Sequence, residues 1–293
     1  MRNIYRLIFF FIFLSSCENT EKEYYENGNI KAKYHKQNGL LHGDYFQYDS
    51  LGILTSQHIY DLGKRIDSSI YYKNNNIWYL NYYVNGKIHS QKQCYPNGEI
   101  KEFGNLDNEN IPIGKWRFYN KSGYLKEVRE FKIINGKSYL NQQWFFNIDG
   151  DTLKGKGSYY DLNFVSDTIN LNEPIVGIVD LINPSIKNKE TYVKVVVPKD
   201  YSPDFNDDFS NINIIDIDTT YNLNLEKDYR EQAGLEGNFV KSAIFGRYYD
   251  TPGLKTFRGI IIEYAYDKSN GDTLGYLEHK KYFEKEVFVK DSI

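Results

Sequence analysis

The sequence predicts an all-β protein: an elongated repeat array of β-hairpins followed by a β-sandwich-like domain. Three observations carry that expectation. Asn38-Gly39, Asn85-Gly86 and Asn135-Gly136 each interrupt an alternating segment with two residues that tolerate positive φ, the strongest short signal for a hairpin. Strand-forming aromatics abound, with 28 Tyr and 18 Phe against a single Met. The first half of the chain also repeats itself.

The repeat occupies residues 24–160. Tyr24-Tyr25-Glu26-Asn27-Gly28-Asn29-Ile30 returns as Tyr95-Pro96-Asn97-Gly98-Glu99-Ile100. Looser copies begin at Tyr48, Phe118 and Phe145, and a degenerate one, Tyr71 to Ile77, has lost its glycine. The turn positions 28, 52, about 75, 98, 123 and 150 fall roughly 22 to 27 residues apart, a period of one supersecondary unit. Between them lies a second series, Asn38-Gly39, Leu62-Gly63, Asn85-Gly86 and Asn135-Gly136, so each unit holds two strands and two turns. One hairpin is marginal alone in water. Units stacked edge to edge share an aromatic face and gain stability along the array.

These copies, with His42-Gly43-Asp44-Tyr45 and Ile113-Gly114-Lys115-Trp116 in the other strand, resemble the bacterial variant of the MORN repeat. The resemblance implies a twisted hairpin ribbon that serves as an interaction or scaffold surface. Some proteins that carry this variant repeat are classed as antitoxins of toxin–antitoxin pairs.

Residues 161–173 read as a connector and 174–293 as the sandwich-like domain. Strands are expected at Ile175–Ile182, Thr191–Val197, Ile212–Ile217, Asn238–Tyr249, Thr256–Tyr266 and Gly275–Lys290, punctuated by Pro174, Pro184 and Pro198. The Pro252-Gly253 turn, the strand after it and the closing Tyr282–Val289 strand resemble immunoglobulin-like domains. The Cys–Trp–Cys hallmark is absent, since this half has neither residue.

The N-terminus carries a targeting signal over residues 1–16. Arg2 and Arg6 precede the apolar run Leu7–Leu14, and Ser15 and Ser16 lead to Cys17. That run is far short of the roughly 20 residues that span a bilayer. Leu14-Ser15-Ser16-Cys17 resembles the bacterial lipobox. That resemblance implies lipid (palmitate among its acyl chains) on Cys17, cleavage just before it, and residence in the cell envelope. The outer membrane is preferred over the inner, and the protein faces the periplasm or the exterior. Residues 17–23, polar after Cys17 and carrying Glu18, Glu21 and Glu23, read as a solvated tether.

Charge and cysteine content narrow the partners. Loss of Arg2 and Arg6 takes the net charge from −3 to −5, which argues against nucleic acid. Cys94, the only other cysteine, reads as a buried free thiol.

No catalytic set is found, and neither a cofactor nor an enzymatic activity is expected. The five histidines show no HExxH spacing, and GxSxG, GxGxxG and GxxxxGK[ST] are absent. Asp204, Asp207, Asp208, Asp216 and Asp218, with Asn206, form the one acidic cluster able to attract a hard cation, and a solvated loop is its simpler reading. Ile214-Ile215-Asp216-Ile217-Asp218-Thr219-Thr220 resembles the first motif of haloacid-dehalogenase-type phosphatases. That chemistry needs a parallel strand in a Rossmann-like fold, and no βαβ pattern surrounds the motif.

The expectation is therefore a lipid-anchored, non-catalytic binding or scaffold module whose repeat surface meets a protein or glycan. The alternatives are a metal-dependent hydrolase using residues 204–218 and a toxin-neutralising repeat protein.

Overall fold

The computed structural model describes residues 20–232, 234, 236–267 and 275–291. The expected signal segment and Cys17 lie outside the described residues. The chain forms two compact units that divide between Lys87 and Ile88.

The first unit holds β1 (Thr20–Tyr24), β2 (Ile30–Gln37), β3 (Leu40–Tyr48), β4 (Leu54–Asp61), β5 (Lys64–Lys73) and β6 (Asn76–Val84). Each pairs antiparallel with the next. In the second unit β7 (Lys87–Cys94), β8 (Ile100–Leu106), β9 (Pro112–Tyr119), β10 (Leu125–Ile134) and β11 (Lys137–Phe145) follow the same rule. The chain is thus all-β, with a hairpin array followed by further sheets.

One five-residue turn recurs at one end of the hairpins. Its first residue receives the i+3 amide and donates its own amide to the i+4 carbonyl, as at Tyr25–Asn29, Asp49–Ile53, Tyr95–Glu99, Asn120–Tyr124 and Asn147–Asp151. The fourth position needs positive φ, which Gly28, Gly52, Gly98, Gly123 and Gly150 supply. The other end uses two-residue turns: Asn38-Gly39, Leu62-Gly63, Asn85-Gly86 and Asn135-Gly136. Two turns break the alternation. Asn74 and Asn75, both at positive φ, close β5–β6 as a two-residue turn. Asp107–Ile111 closes β8–β9 as a five-residue turn with Asn110 in the glycine position.

Within the strands, Gly43 and Gly114 also sit at positive φ, at +77° and +63°. Each lies two residues before an aromatic, Tyr45 and Trp116, and lets the strand bend so that the ring turns onto the sheet.

The tether ends earlier than its polar composition suggests. Thr20–Glu23 lies within β1, paired to His35–Ala32 of β2. An edge strand takes its main-chain hydrogen bonds from one neighbour and needs no apolar side chains. Lys36 pairs with Glu21 at 2.9 Å, and Tyr34 donates its hydroxyl to Glu23 at 3.1 Å.

The rest of the second unit is two sheets. β12 (Tyr159–Phe164), β14 (Ile175–Asn183) and β17 (Ser242–Arg247) form the first, in the order β12-β14-β17. The second runs β13-β19-β18-β15-β16 and comprises β13 (Thr168–Asn170), β15 (Tyr192–Pro198), β16 (Ile217–Tyr221), β18 (Gly253–Asp267) and β19 (Gly275–Lys290). A short helix, α1 (Lys227–Gln232), follows β16. Residues 161–173, read from sequence as a connector, hold most of β12 and all of β13. Ile175, Val179, Val195, Phe245, Phe257, Ile261 and Phe283 fill the core between the sheets.

The other face of the five-stranded sheet is also covered. Phe205, Phe209, Ile212 and Ile215 pack with Ile260, Ile262, Tyr282 and Ile134 of the β10–β11 hairpin. Sequence alone places a strand at Ile212–Ile217, but residues 211–214 are turns and the strand starts at Ile217. The reason is spacing. Apolar residues at 205, 209, 212 and 215 recur every three or four residues, which suits coiled turns and not the period of two that a strand requires.

Candidate functional site

The first unit presents one face built from rings. Cross-strand pairing sets Tyr34 opposite Tyr45, Tyr45 opposite His58, and His58 opposite Ser69. A second row sets Ser56 opposite Tyr71 and Tyr71 opposite Tyr79. Partners on neighbouring strands share a face, so the rings meet in sequence. Centroids lie 5.5 Å apart for Tyr34–Tyr45, 5.9 Å for Tyr45–His58, 5.4 Å for His58–Tyr71 and 6.0 Å for Tyr71–Tyr79. Beneath them sit the small or polar Ala32, Ser56, Ser69 and Asn81, all buried. Both apolar clusters of the described residues lie in the second unit. Tyr34 and His58 are buried and Tyr45, Tyr71 and Tyr79 half-buried, and together the rings are the cover on this side of the sheet.

Arg65 stands in the middle of this face. The Leu62-Gly63 turn sets it opposite Tyr60. Its Nε donates to the Tyr60 hydroxyl at 3.0 Å, and one terminal nitrogen donates to Tyr71 and Tyr83 at 3.3 and 3.4 Å. No carboxylate pairs with it among the described residues, and its second terminal nitrogen donates to none of them. His58 Nδ1 meets Ser69 Oγ at 2.8 Å. Burial, with the nearby Arg65 charge, lowers the His58 pKa to about 4. The imidazole is therefore neutral at pH 7, and Arg65 carries the charge of this cluster. Nothing in the sequence around Lys64-Arg65-Ile66 marks it; only hairpin register brings it under the tyrosines.

In the second unit a cleft of about 610 Å³ opens beside β9–β11, lined by Arg117, Trp144, Gln142, Glu130, Tyr160 and Glu284 among others. Its chemistry is largely committed. Glu130 accepts from Asn141 and Gln142 at 2.6 and 2.9 Å, Lys132 faces Glu284 at 3.5 Å, and Lys115 lies 5.2 Å from the centre of the Trp144 ring.

A buried polar knot lies nearby. Glu263 and Lys281 are both 0% exposed and 3.3 Å apart. Glu263 accepts the amides of Ser185 and Ile186, while Lys281 donates to Ser185 Oγ, which also meets Ser158 Oγ. These bonds tie the segment after β14 to β18, β19 and Ser158, which makes the knot a strut.

The acidic residues singled out from sequence do not converge. Asp204 receives Arg247 at 2.6 Å and the Tyr249 hydroxyl at 3.3 Å, and burial raises its pKa despite the guanidinium. Asp208 accepts the Ser210 amide at 3.0 Å, and that hydrogen bonding lowers its pKa. Asp207, Asp216 and Asp218 are exposed, and Asp218 lies on β16, an edge strand antiparallel to β15. Among the described residues no group of three or more His, Cys, Asp or Glu could hold a metal ion. The phosphatase-like motif thus lacks the central parallel strand its chemistry requires. Cys94 is buried and free, and burial raises its thiol pKa.

The geometry defines an all-β hairpin-repeat protein with a two-sheet β-domain. No protein-family model matches the sequence, and no curated protein matches it. Among solved structures the chain is similar to one described as "Crystal Structure of TarM", at 14% identity and a TM-score of 0.21. The match covers 42% of this chain and only 21% of that one, and a likeness of this size carries no argument.

Proposed function

We propose that this protein is an envelope lipoprotein, held by lipid on Cys17, that binds a glycan chain along the tyrosine face of its first unit and has no catalytic role. The carrying observation is the unbroken ring series Tyr34, Tyr45, His58, Tyr71 and Tyr79 across five strands. At the usual strand spacing it extends about 20 Å. Tyrosine supplies flat apolar area at low entropic cost, and its hydroxyl can meet a sugar hydroxyl. An extended chain laid across the strands would meet the partly exposed Tyr45, Tyr71 and Tyr79, with the buried Tyr34 and His58 packed between and beside them.

Affinity electrophoresis through gels cast with envelope polysaccharide tests the binding. Retarded migration, lost in Tyr45→Ala and Tyr71→Ala, is the expected result; unretarded wild-type protein removes the reading. Intact mass and detergent partitioning, set against Cys17→Ala, test the anchor.

A further inference from the structure

We infer that the ligand of this face carries a carboxylate, as a uronic-acid-containing polysaccharide does, and that Arg65 receives it. The inference rests on the glycan reading and adds the charge of the ligand.

The argument begins with desolvation. Arg65 is half-buried, and its three hydrogen-bond partners, Tyr60, Tyr71 and Tyr83, are neutral hydroxyls. The rest of the guanidinium is partly exposed and is hydrated in the free protein. A neutral chain laid over the rings would strip that water and return no charge, and an uncompensated buried cation is expensive. An anion reverses the sign of that cost. The two N–H groups of the free terminal nitrogen are available to a carboxylate oxygen, and such charge-assisted bonds are about twice as strong as neutral ones.

The neighbouring charges decide which anion. Glu21 and Glu23, at the far edge of the sheet, are matched by Lys36 and Lys31. Asp61, beside the turn, lies opposite Lys64 across the hairpin. His58 is neutral. One positive charge is left over at the centre, which matches one carboxylate better than a phosphate monoester of roughly −1.5 to −2. The tyrosine hydroxyls around Arg65 can then meet the sugar hydroxyls that flank a ring carboxylate. Net attraction does not explain such binding, since the chain as a whole is at −3.

The test uses the mature chain with polygalacturonate, alginate and hyaluronate, and with the methyl ester of polygalacturonate, which keeps the backbone and removes the charge. Titration calorimetry at low salt is expected to show binding to at least one acidic polymer and at least tenfold weaker binding to the ester. Arg65→Gln should lose tenfold or more toward the acid and little toward the ester, while Arg65→Lys, which keeps the charge, recovers part of the loss. An unchanged thermal melt for both variants separates this effect from misfolding; if Arg65→Gln melts early, the comparison of acid with ester on the wild type decides alone. Equal binding of acid and ester, both lost in Tyr71→Ala, would overturn the inference and leave the glycan reading standing. Failure to bind any of the three acidic polymers, while envelope polysaccharide still retards the protein, overturns it in the same way. Binding to anionic lipid vesicles but to none of the polymers overturns both.

Discussion

Tyr25 and Tyr95 perform the same task in two copies of one clamp. Tyr25 donates its hydroxyl to the Tyr48 carbonyl at 2.8 Å, and Tyr95 donates to the Tyr119 carbonyl at 2.9 Å. Two residues on, Asn27 donates to the Ser50 carbonyl and Asn97 to the Lys121 carbonyl, each at 2.8 Å. A five-residue turn thereby grips the next five-residue turn on its side of the sheet.

Breaking the clamp should loosen the turn without unfolding the chain. Tyr95→Phe removes one partly buried hydrogen bond and should cost about 1 kcal/mol. Asn97→Ala removes the bond to Lys121 and the internal one from the Glu99 amide, and should cost about 1–2 kcal/mol. Urea denaturation checks both, and a midpoint unchanged in Asn97→Ala would count against the clamp.

Gly104 lies under the Trp116 indole, where an added Cβ would fall 2.3 Å from ring carbons. Trp116 is buried, and its Nε1 donates to the Asn105 carbonyl at 2.9 Å. Gly104→Ala must displace the ring and should cost about 1–3 kcal/mol. In a background with Trp78→Phe and Trp144→Phe, Trp116 emission should shift to the red. An unshifted spectrum would contradict the packing.

Lys281→Met leaves the Glu263 carboxylate buried without its counter-charge. Removing one partner of such a pair costs about 3–5 kcal/mol. Adding Glu263→Gln should recover part of that loss, because the buried charge is then gone. Thermal melts of the single and double variants make the comparison, and a double variant no more stable than Lys281→Met would contradict it.

His58 makes stability depend on pH. Its folded pKa, about 4, lies below the ordinary 6.5, so the unfolded chain binds a proton more readily. The contribution is complete above pH 6.5 and declines as pH falls from there toward 4. His279 shifts the same way, through burial and the Lys281 charge. The Hε1 resonance of His58 should still report a neutral ring at pH 5.5, and His58→Gln should flatten the pH dependence of the urea midpoint between 7 and 5. A His58 midpoint near 6.5 would contradict the burial argument.

Local chemistry was legible in the sequence, and distant chemistry was not. Asn38-Gly39 or Asn135-Gly136 encodes its own turn, because two adjacent residues set the required φ values. The Asp107 turn went unread because Asn110 replaces the glycine and only the shared hydrogen-bond pattern identifies it. Strand β1 hid in a polar segment, since an edge needs backbone partners more than apolar side chains. The acidic run at 204–218 drew attention by charge, while Phe205, Phe209, Ile212 and Ile215 carried its structural purpose. Arg65 gave no signal at all: its meaning comes from Tyr60, Tyr71 and Tyr83, which adjacent strands deliver to it. Glu263 and Lys281 were equally silent, because alternation on β18 and β19 predicts a side and not a partner.

The clamp also constrains how such an array can change its copy number. Duplication or loss of a single hairpin preserves strand polarity and would be silent for the backbone ladder. It is not silent for Tyr25, which needs a five-residue turn presenting the Tyr48 and Ser50 carbonyls. If the hairpin carrying that turn were lost, the two-residue Asn74-Asn75 turn would take its place and offer no matching grip. The gripping turn and the turn it grips therefore stand or fall together, four strands in all.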